Sequence, residues 1–184
     1  NRYKVRSAEQ LQYINWNYKH KNVTSYVNSN NSSWDSFPYL KYVSGSNADY
    51  EWNFYWDQTH DIDRESKNFT PIGSLYYNTT NNAGTAYIAY FGGVYNGNSY
   101  SIKNIKIESK AQMVGLFGIT IAAKLENIVM YSENNDTIEI TKDSERWYCV
   151  GGLVGFAAEG VVKEKKSDAV FQNCTVSGYQ IVDN

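Results

Sequence analysis

Cysteine, histidine, proline and methionine each occur only twice in this 184-residue chain. Two cysteines, Cys149 and Cys174, cannot build a disulfide framework or a cysteine-rich zinc site. Both occupy apolar positions in strand-like phrases, so buried thiols are expected, with a single bridge as the alternative. His20 and His60 stand apart and His-Glu-x-x-His is absent, which excludes zincin-type protease chemistry. The net charge is only −2 and no basic stripe exists, so a nucleic-acid partner is not expected. No apolar run reaches the roughly 18 residues of a membrane-spanning helix, so no helical membrane insertion is expected. Gly92-Gly93 and Asn96-Gly97 are turn glycines; no Gly-Lys-Ser/Thr follows them, as a phosphate loop requires.

What the chain has in quantity is tyrosine and tryptophan, 17 and 5 of them. Hydrophobic residues make up 42%, yet the mean hydropathy is −0.56. Asn, Ser and Thr supply the polarity, rather than charge. Tyrosine on such a background suits strands and recognition surfaces. The length fits one domain, residues 1–184. The opening at Asn1 and the strand-like close at Tyr179–Val182 read as a piece of a larger polypeptide.

Two phrases recur. Ile102-Lys-Asn104-Ile-Lys-Ile107, Leu125-Glu-Asn127-Ile-Val-Met130 and Phe171-Gln-Asn173-Cys-Thr-Val176 share the form apolar-x-Asn-apolar-x-apolar. From Asn104 to Asn127 is 127 − 104 = 23 residues, and from Asn127 to Asn173 is 173 − 127 = 46, read as one and two units of one period. Val114-Gly115-Leu-Phe-Gly118 returns as Gly151-Gly152-Leu-Val-Gly155. Short apolar strands at such a period predict an all-β fold, a right-handed parallel β-helix whose coils stack because none can bury its apolar side alone. Asn104, Asn127 and Asn173 are expected at coil corners, where asparagine can form a ladder. Gly115, Gly118, Gly152 and Gly155 are expected where coils pack closely. Tyr90 to Ile102 reads as a strand, an Asn96-Gly97 turn and a strand.

Ahead of the repeat, Ser7 with Gln10 forms a capping-box pattern. Leu11, Ile14, Tyr13 and Tyr18 then predict a helix over 8–18 that caps the solenoid. Two stretches lack the repeat grammar and read as surface insertions, 20–53 and 75–89. They are polar yet rich in aromatics. Lys163-Glu-Lys-Lys166 reads as a solvated loop. Around His60, alternation would send Asp61, Asp63 and Glu65 to one face, which reads as a hydrogen-bonded corner more readily than as a calcium or acid–base site. Asp35, Asp49, Glu51 and Asp57 mingle with Trp34, Trp52 and Trp56, but no spacing singles out a glycosidase acid and base. No catalytic residue, metal or cofactor is therefore expected.

The order of these phrases resembles the GLUG-motif region of bacterial surface proteins, which also stands beside the catalytic domain of IgA-cleaving metalloproteases. The resemblance rests on SAEQLQYI at the start, Asp61-Ile-Asp-Arg with Phe69-Thr-Pro-Ile-Gly73, the phrase from Phe91 to Ile107, and the motifs at 115–118 and 152–155. It implies a parallel β-helix on a secreted or wall-attached bacterial protein. Some proteins of this kind act like superantigens that bind immunoglobulin variable-domain frameworks.

The expected function is accordingly a non-catalytic binding module for a host extracellular protein, immunoglobulin foremost. The alternatives are a glycan-binding adhesin or glycan-active β-helix, and a passive spacer. The chain is expected as a monomer. Tyr, Trp, Ser and Asn together resemble an antibody-type contact surface. Trp34, Phe37, Tyr39 and Tyr42 are the first candidate patch, and Tyr76, Tyr77, Trp147 and Tyr148 the second.

Overall fold

The computed structural model describes residues 2–20, 25–27, 55–78, 85–141, 148–162 and 165–183. It is mostly short β-strands, many in parallel sheets, with one helix. In chain order, β1 (Arg2–Val5) leads into α1 (Ala8–His20) and β2 (Ser25–Val27). Then come β3 (Tyr55–Gln58), β4 (Ile62–Asp63), β5 (Ser74–Asn78) and β6 (Thr85–Ala89). β7 (Val94–Asn96), β8 (Ser101–Lys103), β9 (Ile107–Ser109), β10 (Met113–Val114) and β11 (Phe117–Ile121) follow. The next group is β12 (Lys124–Glu126), β13 (Val129–Tyr131), β14 (Thr137–Ile140), β15 (Cys149–Val150) and β16 (Val154–Ala158). The last is β17 (Gly160–Val162), β18 (Lys165–Ser167), β19 (Val170–Gln172), β20 (Thr175–Ser177) and β21 (Gln180–Asp183).

Apart from the antiparallel pairs β5-β6 and β17-β18, consecutive strands enter different sheets. The first sheet runs β1-β3-β7-β12-β19, the second β4-β8-β13-β20 and the third β9-β14-β21, all parallel. Two further parallel pairs are β10-β15 and β11-β16. From β7 onward the chain visits these three sheets in one order, as β7-β8-β9, β12-β13-β14 and β19-β20-β21. β7 and β8 do not form a hairpin across Asn96-Gly97; each pairs instead with strands from other rows.

In-register pairing puts like residues in rows. Tyr3, Trp56, Tyr95, Leu125 and Phe171 make one. Ile62, Ile102, Met130 and Val176 make a second, and Ile107, Ile138 and Ile181 a third. Trp56, Tyr95, Leu125, Ile62, Ile102, Met130, Ile107 and Ile138 are all buried in one core cluster. Each such side chain contributes roughly 1.5–3 kcal/mol by leaving water. Aromatic neighbours extend the rows: Tyr3 stacks on Trp56 at 4.6 Å, and Phe117 lies 4.9 Å from Phe91 and 5.7 Å from Tyr95.

The register corrects the expected period. Leu125 pairs with Phe171, so the 173 − 127 = 46 residues from Asn127 to Asn173 make one step and not two. Leu125 also pairs with Tyr95, not with Ile102, so Asn104 occupies a different corner from Asn127 and Asn173. The phrases repeat because both corners pose the same steric problem. Asn104, Asn127 and Asn173 all have φ of 53–54°, the left-handed region, where asparagine is among the least strained non-glycine residues.

α1 extends two residues past the expected end. Gln10 N–H donates to Ser7 Oγ at 3.3 Å, while Gln10 Oε1 accepts from Arg6 N–H at 2.7 Å, so the capping pair reaches one residue further back than predicted. Leu11 and Ile14 are fully buried beside Val5. Tyr13 falls off that stripe and is exposed, contrary to expectation. Gln12 ties α1 to the body by a reciprocal pair of bonds with the Thr70 backbone, 3.0 and 2.9 Å.

Two sheets stand apart from the parallel rows. β2, β6 and β5 form an antiparallel three-stranded sheet. β17 and β18 form an antiparallel pair that places Lys165 and Lys166 in a strand rather than a loop. A mixed charge run reports solvation, not backbone conformation, which is why that expectation failed.

Candidate binding surface

The two insertions meet. Within the first, β2 pairs with β6 of the second, and β6 pairs with β5. Tyr26, Tyr87 and Tyr76 fall in a single register row across the three strands. Val27, Ala86 and Tyr77 make the next row. Of the predicted site residues, Tyr76 and Tyr77 therefore lie on an antiparallel sheet built wholly from segments without repeat grammar. Tyr26 was not singled out in the sequence. Its signal was slight: one tyrosine between Ser25 and Val27, β-prone but too short to distinguish from its polar surroundings.

This sheet is anchored on the parallel body. Ser74, at the head of β5, is fully buried and its hydroxyl donates to the Met113 carbonyl at 2.6 Å. Met113 also pairs with Cys149, the neighbour of Tyr148. Tyr148 is half-buried and packs against the core, so less of its ring reaches solvent than expected. Its place beside β15 lends it to core packing. Trp147, Trp34, Phe37, Tyr39 and Tyr42 lie outside the described residues.

The asparagines of the recurring phrases fall into two hydrogen-bonded ladders. Asn173 Nδ2 donates to Asn127 Oδ1 at 3.1 Å, and Asn127 Nδ2 donates to Asn96 Oδ1 at 3.1 Å. Asn104 belongs to a second ladder. Its Nδ2 donates to Asp63 Oδ1 at 3.1 Å, and its Oδ1 accepts from Glu133 N–H at 2.9 Å. A Cβ on Gly118 would meet the Gly73 carbonyl oxygen at 2.0 Å, and one on Gly155 would meet Val114 N at 2.6 Å. One on Gly115 would sit 2.8 Å from the Gly151 oxygen. Backbones of successive rows approach too closely there for any side chain. Gly152 differs, since its nearest neighbour is the Val176 side chain at 2.7 Å.

The acidic stretch after β3 is a hydrogen-bonded corner. Asp61 accepts from Ser101 N–H at 2.7 Å and Ser101 Oγ at 2.9 Å, and these bonds hold its carboxyl below the ordinary value. Asp63 accepts from Glu65 N–H at 2.8 Å, which lowers its carboxyl likewise, and pairs with Lys103 at 3.2 Å. Glu65 turns away to Lys67, and Asp57 pairs with Arg2 at 3.3 Å. The His60 ring nitrogen Nδ1 lies 3.1 Å from the Thr59 hydroxyl, not from a carboxylate. Each carboxylate has a separate partner, so the residues do not converge on one point. Among the described residues no group of three or more His, Cys, Asp or Glu side chains could hold a metal ion. Asp35, Asp49 and Glu51 lie outside the described residues.

A buried polar residue that sequence reasoning passed over, Gln58, organises the same corner. Its Nε2 donates to the His60 and Ser101 carbonyls, both at 2.9 Å, and its Oε1 accepts from the Tyr95 hydroxyl at 3.1 Å. Burial pushes the Tyr95 hydroxyl far up in pKa, so it remains a donor. Cys149 and Cys174 are unpaired and half-buried rather than fully enclosed. Among the described residues no helix is long and apolar enough to cross a membrane.

No family model, curated protein or solved structure matches this chain.

Proposed function

We propose that the chain is a non-catalytic binding module whose scaffold is a right-handed parallel β-helix and whose contact surface is built from the two insertions. The parallel rows of the three sheets and the left-handed asparagine corners support the scaffold. One observation carries the binding role: the insertions join in an antiparallel sheet outside the rows, with Tyr26, Tyr87 and Tyr76 aligned across it. A spacer has no need of such a sheet. Tyrosine supplies large contact area at small rotamer cost and recurs at binding hot spots. The net charge of −2 favours contact by shape and apolar area over electrostatic steering.

The partner is a host extracellular protein, with an immunoglobulin variable domain foremost, and the chain is secreted by or attached to the surface of a bacterium. This rests on the resemblance of the repeat phrases to GLUG-motif surface proteins. The test is affinity capture from serum or mucosal secretions on the immobilised chain. Recovery of antibody heavy and light chains is expected, and the double substitution Tyr76→Ala, Tyr87→Ala should weaken capture at least about thirtyfold, equivalent to the loss of one hot-spot residue. Binding to glycan arrays with no antibody retained would replace the partner, and release of reducing sugar from a polysaccharide panel would replace the class of function.

A further inference from the structure

Tyr13 stays out of the core, and its surroundings give it other work. Glu9, Gln12 and Tyr13 stand three and four residues apart on α1, so they share one face of the helix. Arg64, just after β4, joins them, and the four side chains line an open groove of about 490 Å³. That lies within the ~300–1,000 Å³ of small-molecule sites.

The groove is held in place by bonds beneath it. Gln12 has both amide atoms engaged by the Thr70 backbone, at 3.0 and 2.9 Å, so it is a fixed wall. Glu9 is exposed, and its own N–H and the Ser7 hydroxyl hold its carboxyl below the ordinary value. Arg64 adds to that lowering through space, and no ion pair joins the two side chains. Arg64 is half-buried, and its Nη2 donates to the Asn68 carbonyl at 2.6 Å. Among the described residues that is the guanidinium's one hydrogen bond, which leaves Nη1 without an acceptor. Lys67 is committed to Glu65 at 2.6 Å. The groove thus presents one negative charge, one positive charge and the Tyr13 ring, 49% exposed.

This balance selects against charged ligands. An anion drawn to Arg64 meets Glu9, and a cation drawn to Glu9 meets Arg64. A neutral ligand with adjacent hydroxyls satisfies both, since one hydroxyl accepts from Arg64 Nη1 and another donates to Glu9, each in a charge-assisted bond. An apolar C–H face beside those hydroxyls covers the Tyr13 ring. A pyranose ring has both features. We infer that the groove between α1 and the corner after β4 is a binding site for a neutral pyranose, with Arg64 and Glu9 reading adjacent hydroxyls and Tyr13 stacking on the sugar. One carboxylate lines the groove, where hydrolysis of a glycosidic bond uses two, so the site binds without cleaving. It lies outside both insertions and stands independently of their binding role.

The probes are the methyl glycosides of glucose, galactose and mannose, with glucuronate and glucosamine as charged comparisons. Each is titrated into the 184-residue chain and followed by the NMR shifts of the Tyr13 ring and the Gln12 side-chain amide. At least one neutral glycoside should bind, in the millimolar range that an open groove allows, and more tightly than either charged sugar. Tyr13→Ala, at an exposed position, should weaken it about tenfold, read by saturation transfer to the ligand. Glu9→Gln keeps the shape of the side chain and should raise the affinity for glucuronate, a change of preference that partial unfolding cannot imitate. A glycan freed from serum glycoprotein and a saccharide fragment of a bacterial cell wall are the last two arms; binding of either supports the site and names the source of its ligand. No shift at Tyr13 with any neutral glycoside up to its solubility limit overturns the inference. So does a preference for a charged sugar, or binding unchanged in Tyr13→Ala.

Discussion

The hardest-working single residue is Asn127. It holds a left-handed corner and bonds to the asparagines on both sides, Asn96 and Asn173. Two contributions can be separated. Asn127→Gly keeps the backbone conformation and loses the amide bonds, at about 1–2 kcal/mol. Asn127→Leu loses both and should cost about 2–4 kcal/mol. Denaturant unfolding of the pair checks this; equal losses would mean that the corner conformation is not what asparagine supplies. The function of the insertions should survive in Asn127→Gly. Asp61 makes a pH prediction. Its carboxyl is lowered by two bonds from Ser101, so it stabilises the fold above the ordinary carboxylate value near pH 4. That stabilisation is lost as pH falls through the lowered folded value. Asp61→Asn should therefore be less stable at neutral pH, with a flatter acid limb that converges on the parent at low pH. Parallel melting-temperature curves for the two would refute the role. At the alkaline end Tyr179, which burial raises to about 12, acts in the opposite sense: stability falls as pH rises from about 10 through that value.

At the scale of elements, glycine placement decides how close the rows come. Gly118→Ala puts a methyl against backbone on both sides, at the Gly73 and Met113 carbonyls, and should cost upwards of about 3 kcal/mol. Gly152→Ala meets only the Val176 side chain, which can rotate, and should cost about half as much. Thermal melts of the two variants compare them directly, and equal effects would contradict this packing. These glycines were legible because Gly-Leu-Phe-Gly and Gly-Leu-Val-Gly recur where backbones touch. α1 was legible too, from Ser7, Gln10 and the Leu11–Ile14 spacing. The period was not. Spacing between asparagines cannot tell two corners of one row from the same corner of two rows, since the left-handed backbone selects asparagine at both. Tyr13 shows the same limit, because an aromatic near an apolar stripe counts toward it in sequence while geometry leaves it outside.

At the scale of the whole molecule, the insertions were visible as breaks in a pattern, but their pairing was not. β2 and β6 are joined by long-range backbone bonds that leave no local mark on either segment. Gln58 was missed for a related reason: a polar residue reads as surface until its partners, drawn from the next row, are known. Deleting β5 and β6 with their connection should abolish capture of the partner while leaving the parallel rows to unfold cooperatively. Circular dichroism with a capture assay would check both, and retained binding would move the contact surface elsewhere.

The unlike ends of the rows give unfolding a direction. Each row is held chiefly by its nearest neighbours, so loosening spreads from whichever end is least secured. With Leu11 and Ile14 buried in the first rows and Phe171 and Ile181 exposed in the row of β19 and β21, the 184-residue chain taken by itself should loosen from β21 and β19 inward. Native-state exchange should then show a gradient: fastest in the last row, slower through β12 to β14, slowest beside α1.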